Sequence, residues 1–286
     1  MIDKPTVISI VGLEHSGTTL LDTILSCQKG AVGLGEAQQV LDDDFRQRYF
    51  ARWGSFDDAD MCSCGKRHRD CPVWGTVMAD IENNSGGTVE ERYAALIGQL
   101  GRYDYLIDSS KSLGALDIHL AALSEGLVKD VRILWIYKDP RSFAASQLRK
   151  GGADLLAIYR CLNWWTGAQK SIMQALDKLG DRVAIVSYEQ LCFDTRGALT
   201  AIEAFLGFEF DDAVKAGIIS GTKNSHIAIG NKDMLNRSNS YVRYDGRWIG
   251  DYRIQTAFLL HRGVKRLLAQ INDLRETGTM NYRGMA

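Results

Sequence analysis

The sequence has almost no net charge. Its 34 lysines and arginines nearly balance its 35 aspartates and glutamates, which leaves a formal net charge of -1 at pH 7. A chain without a global basic field is not expected to bind nucleic acid or an anionic membrane through overall charge. A site for an anionic ligand must therefore be built locally.

Long apolar runs are also missing. No stretch reaches the roughly 18 consecutive apolar residues that indicate a membrane-spanning helix, and "MIDKPTVISIVG" lacks the basic region and long apolar run of a secretory signal. We therefore expect no membrane span and a cytoplasmic protein. In that compartment the cysteines are expected to be mostly reduced. The six cysteines are Cys27, Cys62, Cys64, Cys71, Cys161 and Cys192.

The chain has no internal repeat and no low-complexity tract. Four β-branched, apolar runs predict buried strands, "TVISIVG", "YDYLIDSS", "VRILWIYKD" and "DRVAIVSYE", and helical patterns lie between them. This alternation is typical of an α/β fold with a mostly parallel sheet. One domain is expected over residues 1–286, with a polar, cysteine-bearing insertion at about 42–87.

Helix ends are marked at several places. Asp139 followed by Pro140 predicts a helix start, and Gly207 predicts a helix end. Near the carboxyl terminus, apolar residues from Ile254 to Ile271 recur at helical spacing.

A lysine is missing from the loop that follows the first strand. In "IVGLEHSGTTLLDTIL", residues 10–25, Gly12 and Gly17 have the spacing of the phosphate-binding motif G-x-x-x-x-G-K-[ST], but Thr18 stands at the lysine position. A strand, a glycine loop and a helix still bring backbone N–H groups and the helix dipole to one point, which suits an anion. The missing lysine weakens the case for nucleoside triphosphate hydrolysis and for a magnesium-dependent kinase. A tight turn capped by Thr18 and Thr19 is the alternative.

A second anion site is indicated at "YKDPRSFAASQLRKGG". Lys138 ends the third predicted strand, and Ser146 and Lys150 share a face of the following helix. Ligands of open α/β sheets bind at such strand ends. A solvated basic helix is the alternative. Two separate phosphate sites on one sheet suggest a nucleotide phosphorylated at two distant positions.

These segments carry a resemblance to a known family. "HSGTTLLDTIL" followed by "YKDPRSFAAS" resembles the sulfotransferases that use 3′-phosphoadenosine-5′-phosphosulfate (PAPS), and the layout is similar to protein-tyrosine sulfotransferases and related bacterial enzymes. The resemblance extends from residue 6 to about 250. It implies a P-loop-like three-layer α/β fold and transfer of a sulfuryl group without a catalytic metal.

The resemblance also implies which residues bind the donor. The 5′-phosphosulfate would be held by residues 15–19, namely His15, Ser16, Gly17, Thr18 and Thr19. The 3′-phosphate would be held by Lys138, Ser146 and Lys150, and Tyr188 of "VSYEQL" would approach the nucleotide. "HIAIGNKD", with Asn231 and Lys232, resembles the late loop that closes over the donor, and "YDGRW" its usual successor. His15 and Lys138 depart from the family pattern, which usually has arginine or lysine at the first position and arginine at the second.

Two residues are candidates for the chemistry. By the resemblance, Glu36 in "VGLGEAQQV" takes the proton from the acceptor hydroxyl, and Lys111 in "IDSSKS" reaches the bridging oxygen between phosphate and sulfuryl group. Without the resemblance, the sequence favours a helix first-turn carboxylate stabilised by the dipole for Glu36 and an exposed loop lysine for Lys111. His15 is the second candidate for the base.

The insertion contains a cysteine-rich stretch, "CSCGKRHRDC". Its Cys62, Cys64, His68 and Cys71 are all possible zinc ligands, although the spacing is not that of a standard finger or ribbon. The sequence favours plain reduced thiols in a substrate-side insertion and no metal, and zinc and a disulfide are the alternatives.

Three functions remain open at this level. The leading one is a PAPS-dependent sulfotransferase acting on a hydroxyl or amine, and the others are a P-loop kinase-like phosphotransferase and a nucleotide-binding module without turnover. The acceptor could be a carbohydrate, a peptide tyrosine, a lipid or a small metabolite. No nucleic-acid partner is expected.

Overall fold

Five parallel strands form the central sheet, and helices flank it. The computed structural model describes residues 4–53, 61–83, 86–148, 154–219, 224–230 and 240–278. The strands are β1 Thr6–Gly12, β2 Ala31–Gly35, β3 Tyr105–Lys111, β4 Asp130–Tyr137 and β5 Val183–Ser187, in the spatial order β2-β3-β1-β4-β5. β3 pairs in parallel with both β1 and β2. The α/β prediction, with a P-loop-like three-layer arrangement, is confirmed.

The helices occupy the segments between the strands and after them. They are α1 Thr18–Leu25, α2 Ala37–Leu41, α3 Asp43–Trp53, α4 Trp74–Asn83, α5 Val89–Gln99, α6 Leu113–Ser124, α7 Pro140–Gln147, α8 Leu155–Leu176, α9 Tyr188–Phe193, α10 Thr195–Leu206, α11 Asp212–Lys215, α12 Tyr252–Leu260 and α13 Arg262–Thr277. Short 3₁₀ turns cover His68–Asp70 and Asp177–Arg182, and β6 Ile218–Ile219 pairs antiparallel with β7 Ser240–Tyr241. None of the helices in the described ranges combines the length and the apolar character that crossing a bilayer requires.

The predicted helix ends are found where the sequence marks them. Asp139 is the N-cap of α7, its carboxylate accepts from the Arg141 N–H at 2.8 Å, and Pro140 occupies the first helical position. Gly207 closes α10 with a left-handed φ of 77°. The apolar pattern from Ile254 to Ile271 belongs to two helices, because His261 leaves the helical conformation and its Nδ1 accepts from the Val264 N–H to cap α13.

β2 is a strand that the sequence analysis did not predict. Its sequence, "AVGLG", is rich in glycine, which is depleted in strands. Close packing explains the glycine at position 33. A Cβ atom there would lie 2.1 Å from Ser26 Oγ and 2.3 Å from Asp22 Oδ1 of α1. The helix can approach β2 this closely only because Gly33 has no side chain.

The chain forms two compact units. The first comprises Met1–Val11, Thr19–Ile133 and Glu209–Tyr241, and its core includes the fully buried Ile8, Leu21 and Leu34. The second comprises Gly12–Thr18, Leu134–Phe208 and Val242–Ala286, with Trp135 and Trp165 at its core. The assignment of one domain to residues 1–286 stays a prediction. In the predicted insertion the structure describes α3, the turn around the cysteines, and α4.

Candidate active site

The loop between β1 and α1 belongs to the second unit and has the backbone of an anion-binding turn. His15 has φ 62° and Gly17 has φ 95°, a region that favours glycine. Gly17 also packs closely, since a Cβ atom there would lie 2.6 Å from the ring of Tyr188. The loop leads directly into α1, whose first N–H groups have no partner within the helix. Glycine is therefore required at position 17 by both the backbone and the neighbouring ring.

Ser16 supplies a test of whether this loop suits a ligand. The residue is fully buried, and its hydroxyl has no hydrogen-bond partner among the described residues. A buried hydroxyl without a partner costs about 1–3 kcal/mol, so such groups normally have one. An anion received by the loop would satisfy it. Thr18 and Thr19 are also buried, so the hydroxyl-rich loop fits the 5′-phosphosulfate expected from the sequence.

The second predicted anion site is built around a buried ammonium group. Lys138 is 3% exposed, and its Nζ donates to Ser146 Oγ at 3.1 Å. The same nitrogen lies 4.5 Å from the centroid of the Tyr188 ring. Burial lowers the pKa of Lys138, and the nearby carboxylates of Asp245 and Glu189 oppose that shift. The site is thus a poorly solvated cation beside a hydroxyl, which suits a phosphate group.

Tyr188 connects the two anion sites within the second unit. Its ring contacts the loop at Gly17 and the Lys138 ammonium. Its hydroxyl donates to the Arg243 carbonyl at 3.3 Å and accepts from the Asp245 N–H at 3.3 Å. The second bond ties the ring to the "YDGRW" segment that the sequence analysis singled out, and the first to the residue that precedes this segment. The aromatic ring therefore has a fixed position beside both predicted anion sites.

Glu36 and Lys111 form an ion pair in the first unit. Glu36 directly precedes α2 as its N-cap residue, but its side chain makes no capping hydrogen bond. Lys111 is the last residue of β3 and has φ 70°, an unfavourable value for a residue with a side chain. The Glu36 and Lys111 side chains are 9% and 15% exposed. Glu36 is therefore not a first-turn helix residue, and Lys111 is not an exposed loop lysine.

Asp22 supports Glu36 and was missed by the sequence analysis. Its buried carboxylate accepts from the Gly35 N–H at 3.0 Å and from Ser109 Oγ at 2.8 Å, and burial raises its pKa to about 7. It thereby ties α1 to the residue before Glu36 and to β3. The signal in the sequence was a charged residue inside the apolar helix "TTLLDTIL".

The remaining predicted residues divide into two groups. Cys62, Cys64 and Cys71 come together in the first unit, whereas His68 is buried in a 3₁₀ turn and is not part of that cluster. Lys150, Asn231 and Lys232 lie outside the described residues.

Comparison with models of protein families identifies the family of this chain. A model described as the sulfotransferase family matches residues 5–212 of the chain. The chain belongs to the sulfotransferase family. This confirms the family resemblance drawn from "HSGTTLLDTIL" and "YKDPRSFAAS". A search of curated proteins found no match to this sulfotransferase.

Solved structures agree with the sulfotransferase fold. The sulfotransferase domain from the Synechococcus PCC 7002 olefin synthase superposes with a TM-score of 0.60 at 20% identity, covering 89% of this chain and 94% of that one. The sulfotransferase domain from the curacin biosynthetic pathway gives a TM-score of 0.65 at 15% identity, covering 94% of this chain and 98% of that one. At these identities the likeness is one of fold.

Proposed function

We propose that this sulfotransferase moves a sulfuryl group from PAPS to a hydroxyl or amine acceptor. The observation that carries the proposal is the contact of one aromatic ring, Tyr188, with two separate anion sites, the Gly17 loop and the buried Lys138. A nucleotide with phosphates at its 5′ and 3′ positions needs two such sites and an apolar surface near them. Family membership supports the class of transfer.

In this proposal the chain divides donor binding between the two sites. The 5′-phosphosulfate is held by the N–H groups and hydroxyls of the loop residues His15, Ser16, Gly17, Thr18 and Thr19. Lys138 and Ser146 bind the 3′-phosphate, and Tyr188 contacts the nucleotide. Lys150, Asn231 and Lys232 are retained as further donor contacts on the resemblance alone.

The donor, when bound, supplies a sulfuryl group joined to a phosphate that can leave without a metal. Glu36 takes the proton of the acceptor hydroxyl, and the acceptor oxygen bonds to sulfur as the bond from sulfur to the bridging oxygen breaks. Lys111 donates a hydrogen bond to that departing oxygen, which leaves on adenosine 3′,5′-bisphosphate. The proton ends on Glu36 and the sulfuryl group on the acceptor. Should Glu36 prove dispensable, His15 is the next candidate for the base.

The ion pair in the first unit supports these roles. A base and an acid that act in one transfer must lie close together, and the Lys111 ammonium contacts the Glu36 carboxylate. The left-handed φ of Lys111 costs about 1–3 kcal/mol, and such strain clusters at functional sites. The acceptor is proposed only as a hydroxyl or amine, on a carbohydrate, a peptide tyrosine, a lipid or a small metabolite. A cytoplasmic location stays a prediction from the sequence.

Ligand binding tests the nucleotide. Adenosine 3′,5′-bisphosphate should raise the melting temperature, because a ligand that binds only the native state stabilises it by about 2.7 kcal/mol at 100 times its Kd. Adenosine 5′-monophosphate is the matched control without the 3′-phosphate, and it should stabilise much less. Stabilisation by ATP with magnesium but not by the bisphosphate would favour a kinase-like phosphotransferase instead.

Transfer is tested separately with a sulfur-labelled donor and an acceptor library covering the four classes. Label in an acceptor supports the enzyme. Tight bisphosphate binding with neither transfer nor donor breakdown would support a nucleotide-binding module without turnover.

A further inference from the structure

Four potential metal ligands converge in the first unit, away from the groups used above. The Sγ atoms of Cys62, Cys64 and Cys71 and one ring nitrogen of His226 all lie within 4.8 Å of one another. Cys62, Cys71 and His226 are buried, and Cys64 is half-buried. In the described part of the chain, no other group of three or more histidine, cysteine and carboxylate side chains comes this close.

Two distances within this cluster are close to those of a tetrahedral zinc site. Two sulfurs bound at about 2.3 Å to a tetrahedral zinc ion lie about 3.8 Å apart, and a sulfur and an imidazole nitrogen about 3.6 Å apart. The Cys62 and Cys71 sulfurs are 3.6 Å apart, and Cys71 Sγ lies 3.2 Å from His226 Nδ1. A disulfide would need the two sulfurs at about 2.05 Å.

The backbone holds the ligands in place from both sides of the cluster. The Gly65 N–H donates to the Cys62 carbonyl at 2.8 Å, which closes a turn around Cys64. Ser63 ties this turn to the segment carrying His226, because its N–H donates to the Ile227 carbonyl at 3.1 Å and its Oγ accepts from the Ile227 N–H at 2.8 Å. The ligand positions are therefore fixed by hydrogen bonds that do not depend on the thiols.

Trp74 also helps to orient two of the ligands. The Trp74 N–H donates to Cys71 Sγ at 3.5 Å, and the Trp74 indole N–H donates to the His226 carbonyl. Groups that orient and polarise the ligands in this way are a regular part of metal sites.

We propose that these four side chains bind one zinc ion as a structural Cys₃His site. Soft thiolates with one imidazole in tetrahedral geometry select zinc among the common metals, and four protein ligands leave no open position for catalysis. Binding releases the thiol protons, so the site holds three thiolates and a neutral imidazole. The fourth ligand is His226, 155 residues beyond Cys71. It lies outside "CSCGKRHRDC", so the sequence analysis could consider only His68 within that stretch.

The site fastens a distant segment to the edge of the sheet. The His226 N–H donates to the Gly33 carbonyl at 2.7 Å, and the Gly33 N–H donates to the Asn224 carbonyl at 2.8 Å, so this segment continues the sheet beyond β2. Three residues further on, the Ile229 carbonyl accepts from the Glu36 N–H at 3.4 Å. Zinc would thus join the turn at Cys62–Cys71 to the segment that covers β2 and contacts Glu36.

Metal analysis of the full-length protein is the first test. After exhaustive dialysis against metal-free buffer, we expect about one zinc per chain by plasma mass spectrometry. Replacement of zinc by Co²⁺ should give the strong visible absorption of tetrahedral cobalt and a thiolate-to-cobalt charge-transfer band. A strong chelator should release the zinc and lower the melting temperature. Protein that contains no zinc, and whose chelated form gives no tetrahedral cobalt spectrum, would overturn the proposal, as would a Cys62–Cys71 disulfide found by alkylation under non-reducing conditions.

Variants test the ligand set. Cys71→Ser and His226→Ala should lose at least about nine-tenths of the bound zinc, whereas His226→Cys should retain it because a Cys₄ site also binds zinc. Cys161→Ser, outside the cluster, is the matched control and should keep full occupancy. Zinc kept by His226→Ala but lost by His68→Ala would overturn the assignment of the fourth ligand. His226→Cys and the cobalt spectrum of the parent decide the matter even if Cys71→Ser does not fold.

Discussion

At the scale of single residues, the proposed donor site depends on a cation that is already removed from water. Lys138 is 3% exposed and makes no direct ion pair among the described residues, although the carboxylates of Asp245 and Glu189 partly offset its desolvation. Burial lowers its pKa. A phosphate bound beside Lys138 would be a direct counter-charge for its ammonium group. Lys138 should therefore contribute strongly to binding, and the affinity should depend on whether Lys138 is protonated.

Lys138→Ala should weaken binding of adenosine 3′,5′-bisphosphate about 10–100-fold, the usual worth of a charge-assisted hydrogen bond. In the parent, affinity should fall as the pH rises through the lowered pKa of Lys138, which is below the ordinary 10.5. Lys138→Arg is the matched control, because a guanidinium keeps its charge and the fall should disappear. Calorimetric titrations between about pH 7 and 10 measure this. The same alkaline fall in Lys138→Ala would place the titrating group elsewhere.

Glu36→Gln should abolish most of the turnover while leaving the fold and donor affinity intact. Loss of a general base costs about 10²–10⁴-fold in rate, and glutamine still offers Lys111 an acceptor oxygen. The acid limb of the pH–rate profile should also disappear, which a merely structural role would not cause. The rate at saturating donor and the melting temperature measure the two effects. Parental turnover in Glu36→Gln would contradict the assignment and turn attention to His15.

At the scale of elements, sequence patterns predicted the strand-to-helix junctions that form the candidate donor site. The glycine loop before α1 and the Asp139–Pro140 start of α7 were predictable because they depend on local sequence. The structure confirms both. β2 was not predicted because its glycines serve tertiary packing rather than strand propensity. The role of His226 depends on a contact 155 residues away from Cys71, and no local pattern contains it. The positive φ of Lys111 is likewise a tertiary property.

Gly33→Ala tests the packing of β2 on α1. The added Cβ would lie 2.1 Å from Ser26 Oγ and 2.3 Å from Asp22 Oδ1, and overpacking of this kind costs about 1–3 kcal/mol in the free energy of unfolding. Ser26→Ala in the same chain should recover part of the loss. Gly98→Ala in α5, where nothing lies within 4 Å of the added atom, is the matched control and should stabilise by up to about 1 kcal/mol. Urea unfolding measures all three, and equal effects at positions 33 and 98 would contradict the packing argument.

At the scale of the whole molecule, each unit buries one carboxyl group that resists ionisation. Burial raises the pKa of Asp22 to about 7 in the first unit, and that of Glu189 to about 7 in the second. Their ordinary values are 3.8 and 4.5. Between these ordinary values and about pH 7, the unfolded chain has released both protons, whereas the folded chain still holds them. Stability is therefore largest below the ordinary values and is lost as the pH rises towards 7.

The free energy of unfolding of the ligand-free protein, measured with urea, should accordingly fall from about pH 5 to pH 7, by up to about 1.4 kcal/mol per pH unit for each group, and level off above pH 7. Asp22→Asn should remove the Asp22 share of this slope. The asparagine carbonyl can accept from the Gly35 N–H and Ser109, and its amide can donate to Ser26, so the hydrogen bonds survive without a buried charge. The variant should match the parent only below the ordinary Asp22 pKa of 3.8, and its advantage over the parent should grow as the pH rises to about 7. Asp117→Asn, an exposed control on α6, should leave the slope unchanged. A slope in Asp22→Asn as steep as that of the parent would show that the Asp22 carboxyl ionises in the folded protein as easily as in the unfolded chain.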